Sequence, residues 1–186
     1  MLEYICYSIG QAFPEEGPAA GHAAGPENGD RMFAHADAAG GLFFLAGNAA
    51  ANADGTDQLI LLQIRGRQYT LLSKGGCVCF LAAAGAEGPG LRRLPPHELP
   101  ADAQGFRRTD GVLDGDTVLY LMDERFFRHV DIAAIMGSAV SALRNGSLDT
   151  ALEPIRSSAF LQNAPRDASL ILIRLQEVAR SNREKQ

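Results

Sequence analysis

Tryptophan is absent from this 186-residue chain, and only four tyrosines and three cysteines occur. Basic excess is also lacking: twenty-two acidic residues face seventeen basic ones, for a net charge of −5. That balance provides no electrostatic footprint for nucleic acid or an anionic membrane surface. No apolar run reaches the roughly 18 residues that a membrane-spanning helix needs. The start, Met1 to Gly10, carries Glu3 and has no basic region ahead of an apolar one, so no secretory leader is expected. Cys6, Cys77 and Cys79 are odd in number and lack zinc-ligand spacing, which excludes a disulfide framework and suits a reducing cytoplasm. There is no phosphate loop, no glycine-rich dinucleotide fingerprint and no nucleophile elbow. His22, His35, His97 and His129 share no spacing and read as structural or exposed.

What remains is an ordinary globular composition, 46% hydrophobic and 21% charged. Residues 1–186 are expected to form one domain, with 13–29 as a loop and 179–186 as a frayed tail. Only Lys74 and Lys185 are lysines, and with abundant alanine and glycine this is the habit of a GC-rich bacterial genome.

Alternating or apolar β-rich stretches predict strands at Leu2–Ile9, Arg31–Ala36, Gly41–Ala46, Gln58–Ile64, Gln68–Leu72, Cys77–Ala83, Leu91–Leu94, Phe106–Thr109 and Thr117–Met122. Turn chemistry sits between them at Asp37–Gly41, Arg65-Gly66-Arg67 and Asp114-Gly115-Asp116. The period then changes. Asp131 caps a predicted helix with Ile132, Ile135, Met136, Ala139, Val140 and Leu143 on one face, ended by Asn145-Gly146. Ser147 opens a second, with Leu148, Leu152, Ile155 and Ala159 aligned and Pro154 awkwardly inside. Ala168–Leu175 closes as a strand. Strands first, two helices next and one last strand give an α+β fold with a largely antiparallel sheet system.

The stretch Val112-Leu113-Asp114-Gly115-Asp116-Thr117-Val118-Leu119-Tyr120-Leu121-Met122-Asp123 resembles a strand of the metal-dependent serine/threonine protein phosphatases of the 2C type. In that family the strand ends on a metal-binding Asp. Asn28-Gly29-Asp30-Arg31-Met32-Phe33 is similar to the family's opening motif, and Gly41–Asn48 to its "DG" motif. Ser73-Lys74-Gly75-Gly76 is similar to its "GDSR" turn, and Ala164–Ile173 to the turn and strand that close the domain. The resemblance covers most of the chain. It implies a sandwich of two antiparallel sheets with a helical layer outside each, and a site holding two Mg²⁺ or Mn²⁺ ions.

The chain departs from the family where the chemistry lies. A hard divalent ion needs several oxygen ligands, most of them anionic. By the resemblance the bridging Asp falls on Gly47, the carbonyl glycine on Asn48 and the "GDSR" Asp on Gly75. The Asp of the closing turn falls on Arg166, with Asp167 at the neighbouring, non-ligand position. Asp123 and Asp30 are left as vestigial metal candidates. Asp123 has two readings, a strand-end cap or a single-metal remnant. Asp114 and Asp116 read as turn residues. Cys77 and Cys79 share a strand face and read as packing.

The expected protein is therefore a catalytically inactive regulatory or scaffold module without cofactor that binds a protein partner, such as a phosphoprotein or kinase. The alternative is an active Mg²⁺- or Mn²⁺-dependent phosphatase with altered ligands. One helical layer is expected to be missing, because Asn48–Thr56 has about nine residues, which span at most roughly 32 Å. Gln58–Ile64 is nonetheless apolar on both faces and expects cover on both sides. Phe43, Phe44, Leu59 and Leu61 are thus the expected interface, used in a homodimer. Arg65, Arg67, Arg92, Arg93, Arg107 and Arg108 form three pairs, read as a solvated face or as a contact for an acidic or phosphorylated partner.

Overall fold

The computed structural model describes residues 2–9, 31–37, 39–47, 58–85, 88–96, 98–145, 147–161 and 168–176. Ten strands and three helices occur among them. They are β1 (Leu2–Ser8), β2 (Arg31–Ala36), β3 (Gly40–Gly47), β4 (Gln58–Arg65), β5 (Gln68–Lys74), β6 (Val78–Ala83), β7 (Gly90–Leu94), β8 (Arg107–Val112) and β9 (Thr117–Met122). Then follow α1 (Glu124–His129), α2 (Ile132–Asn145), α3 (Leu148–Leu161) and β10 (Ser169–Leu175). Two antiparallel five-stranded sheets form, in the orders β1-β10-β9-β6-β7 and β2-β3-β4-β5-β8.

The side-chain alternation of each strand decides what lies between the sheets. Phe43, Leu45, Ile60, Leu62, Ile64 and Leu71 from the second sheet meet Cys79, Leu81, Leu119, Leu121, Ile171 and Ile173 from the first. The other face of the first sheet carries Val78, Phe80, Val118, Tyr120, Leu170 and Leu172, and the helices cover it through Phe126, Ile135, Ala139, Leu152 and Ile155. This is why β9 is buried along its whole length. The Tyr120 hydroxyl bonds the Ser138 Oγ at 3.1 Å, tying that sheet to α2.

Local signals hold at most joints. The Asp37 carboxylate accepts the backbone N–H groups of Ala39 and Gly40, as an Asx turn does. Asp131 accepts from the Ala133 N–H at 2.9 Å and opens α2. Pro154 sits inside α3, where Gly137 of α2 faces it and a Cβ there would stand 3.7 Å from the proline ring. A small residue opposite thus seats the ring between two packed helices.

Three features differ from the sequence reading. Helix α1 is six residues long, too short for a periodic signal, and forms because Asp123 caps it and Phe126 is buried beneath it. The Asp114-Gly115-Asp116 turn carries the chain from one sheet to the other, since β8 and β9 lie in different sheets. Phe43 is a correction to the expected interface: it is 0% exposed and stacks edge-on against Tyr4 between the sheets. The register places Phe33, Phe44, Leu61 and Leu72 in one row across the opposite, outer face. No described helix lies on that face, and QLILLQI is apolar there because its half-buried residues Leu59 and Leu61 line it.

Burial also fixes the thiols. It pushes Cys6 up to about 11 from an ordinary 9.0, and Cys79 well above its usual value. Above pH 9 the unfolded chain releases protons that the folded one retains, so stability is full below pH 9 and falls as pH rises towards 11. The slope is up to about 1.4 kcal/mol per pH unit for each thiol. Urea unfolding between pH 8 and 10.5 should show this fall, and Cys6→Ala should make it shallower; an identical slope in the variant would contradict it.

Candidate functional site

One end of the sandwich gathers the positions singled out by motif. Gly47 ends β3 and stands opposite Gln58, the first residue of β4. Gly75 and Gly76 form the turn from β5 to β6. Asp123 ends β9, and Ser169 starts β10 beside it. Asp30, Asn48, Arg166 and Asp167 lie outside the described residues.

Asp123 is fully buried and is the N-cap of α1, with extended φ of −70° and ψ of 164°. Its Oδ1 accepts the Phe126 N–H at 2.6 Å. Its Oδ2 accepts the Ser169 N–H at 2.9 Å, while its own N–H donates to the Ser169 carbonyl at 3.2 Å. The Arg125 guanidinium lies 3.5 Å from Oδ2. The carboxylate thus joins β9, α1 and β10, its charge met by two backbone donors, a helix start and an arginine. Of its two sequence readings, the structure displays the cap.

The second carboxylate here, Glu124, was not singled out by motif. Gln58, 3% exposed, donates its side-chain amide to Glu124 Oε2 at 2.6 Å. Arg128, one helical turn on, pairs with Glu124 Oε1. Two glycines make room for this chain of contacts. A Cβ at Gly47 would come within 3.2 Å of the Gln58 amide oxygen, and one at Gly76 would run into the Glu124 carboxylate. Gly75 takes a φ of +69°, in the region that favours glycine. Nothing local announces a bond between residues 58 and 124, so the sequence could not have given it.

These donors do not fit a binuclear metal centre. Among the described residues no three His, Cys, Asp or Glu side chains come together. Both oxygens of Asp123 and both of Glu124 accept hydrogen bonds from the protein, and Gly47 and Gly75 supply no side chain. A divalent ion at Asp123 would share its carboxylate with the backbone donors of a buried cap.

Truncating the cap tests its structural role. Asp123→Ala strands the N–H groups of Phe126 and Ser169 in the interior, and is expected to lower stability by about 3 kcal/mol or more. Urea unfolding measures it; a loss below about 1 kcal/mol would refute the clamp.

No protein-family model and no curated protein matches the chain. Solved structures do. The S. agalactiae serine/threonine phosphatase superposes with a TM-score of 0.61 at 13% identity, over 95% of this chain and 100% of that one. The catalytic domain of the serine/threonine protein phosphatase PstP, in complex with two manganese ions, gives 0.59 at 10% identity, over 95% and 99%. PppA, a key regulatory component of T6SS in Pseudomonas aeruginosa, gives 0.55 at 11% identity, over 92% and 96%. At these identities the likeness is one of fold: the chain is folded as the bacterial phosphatase-2C-type domains are.

Proposed function

We propose that this protein is a catalytically inactive phosphatase-2C-like module that regulates or scaffolds by binding a protein partner in the cytoplasm. One observation carries the reading: among the described residues no third His, Cys, Asp or Glu joins Asp123 and Glu124 at the site end, and both carboxylates accept internal hydrogen bonds. Metal-ion hydrolysis depends on an ion that makes bound water more acidic, and the ligand positions at Gly47 and Gly75 have no oxygen to offer beyond backbone. Three free cysteines suit a reducing compartment. A second reading, an active enzyme with altered Mg²⁺ or Mn²⁺ ligands, draws on the two manganese ions of the PstP structure. A phosphopeptide assay with and without Mn²⁺ separates them. We expect no metal-stimulated release of phosphate above the protein-free rate. Turnover that requires Mn²⁺ and disappears in Asp30→Ala would establish the second reading.

The partner includes a second copy of the chain. The outer face of the second sheet presents Phe33 and Leu42, each 37% exposed, beside half-buried Phe44, Leu59 and Leu61. A contiguous apolar patch of this kind favours association, and twofold pairing is the commonest form. Light scattering at micromolar concentration should give a dimer near twice 19.8 kDa, and Phe33→Glu with Leu61→Glu should return it to a monomer. A wild-type monomer sinks the homodimer.

A further inference from the structure

We infer that the seam between β7 and β8 is a docking groove for an extended, acidic segment of a partner protein. This extends the partner-binding part of the proposed function and does not depend on the catalytic part.

Both strands are edges: β7 closes the first sheet and β8 the second. Each therefore has one row of backbone donors and acceptors outside its own ladder, the usual template for an added strand. Two cavities lie along the seam between them. One, of about 60 Å³, is lined by Ser73, Arg93, Leu94, Pro95 and Arg107 among others. The other, of about 330 Å³, is lined by Leu91, Arg92, Val112, Leu113 and Asp114 among others, the carboxylate lying 3.8 Å from the Arg67 guanidinium. The larger reaches the range of binding clefts. The seam has one end at Leu94 and Arg107 and the other at Leu91 and Val112. Five residues of β7 set its length, roughly 17 Å of extended chain.

Charge names the occupant. Among the described residues Arg92, Arg93 and Arg107 have no carboxylate partner, although the chain as a whole is acidic, with net charge −5. Arg93 rests over the Phe127 ring at 5.9 Å, and Arg107 donates to the Leu99 carbonyl at 3.0 Å. Both contacts fix the side chains and leave their charge uncompensated. The nearby Arg67 and Arg108 are already paired with Asp114 and Asp110. Val112, 55% exposed, adds an apolar anchor at the wide end. Thr109, on β8, has a buried hydroxyl with no hydrogen-bond partner. Guanidinium pairs carboxylate and phosphoryl oxygens alike, so acidic and phosphorylated segments share this chemistry.

The test uses three capped ten-residue peptides of one alternating design: Glu with Val, phosphoserine with Val, and Lys with Val. Saturable binding of the Glu peptide, with amide shifts along β7 and β8, is expected, and tighter binding of the phosphoserine peptide would overturn the acidic occupant. Arg92→Gln with Arg93→Gln and Arg107→Gln should weaken it about tenfold or more while the melting temperature holds. Arg92→Gln alone, at an exposed position, should weaken it severalfold and keeps the test open if the triple variant unfolds. Equal binding of the Lys peptide, shifts confined to the outer face of β2–β5, or no binding at millimolar peptide would overturn the inference. Metal-stimulated turnover would sink the inactive reading without touching this one, and absent peptide binding would do the reverse.

Discussion

The site end of the fold depends on a single buried carboxylate. Asp123 holds the last residue of β9, the first turn of α1 and the first residue of β10 in one hydrogen-bonded knot. A buried charge is tolerable only when it is paired and hydrogen-bonded, and here backbone donors and Arg125 meet that condition. Asp123 follows a strand that resembles a metal-binding one, and in the structure it serves as the cap of α1.

Neighbouring side chains close around that cap. A bridging carboxylate at the end of β3 would compete for the space and the donors that Gln58 and Glu124 use. With glycine at 47 and 76, the Gln58 amide closes onto Glu124 and Arg128 completes the row. These contacts are local and short-ranged, built from neighbouring side chains and one helix start.

Legibility in the sequence divided along physical lines. All ten strands and both long helices were expected from alternation, apolar runs or turn signals. The face on which Phe43 points was not legible, because Leu42, Phe43, Phe44 and Leu45 form an unbroken apolar run and period 2 has nothing to grip; only pairing with Leu62 sets it inside. Helix α1 was too short to show. The Gln58–Glu124 bond joins residues 66 apart in sequence, which no local rule reaches.

The two sheets end up with unequal needs. The first has its outer face covered by α1, α2 and α3, and its strands β9 and β10 are closed on both sides. The second has an inner face as dry as a core and an outer face with phenylalanine and leucine in partial contact with water. Broad apolar faces and narrow charged edges select partners differently: a face gains from area and is indifferent to sequence, whereas an edge reads backbone and charge. Self-association through the face and capture of an acidic strand at the edge are therefore compatible on one molecule. The face row from Phe33 to Leu72 ends on Arg108 of β8, so the two surfaces meet at that strand. An occupant of the edge would lie beside the outer face of the second sheet.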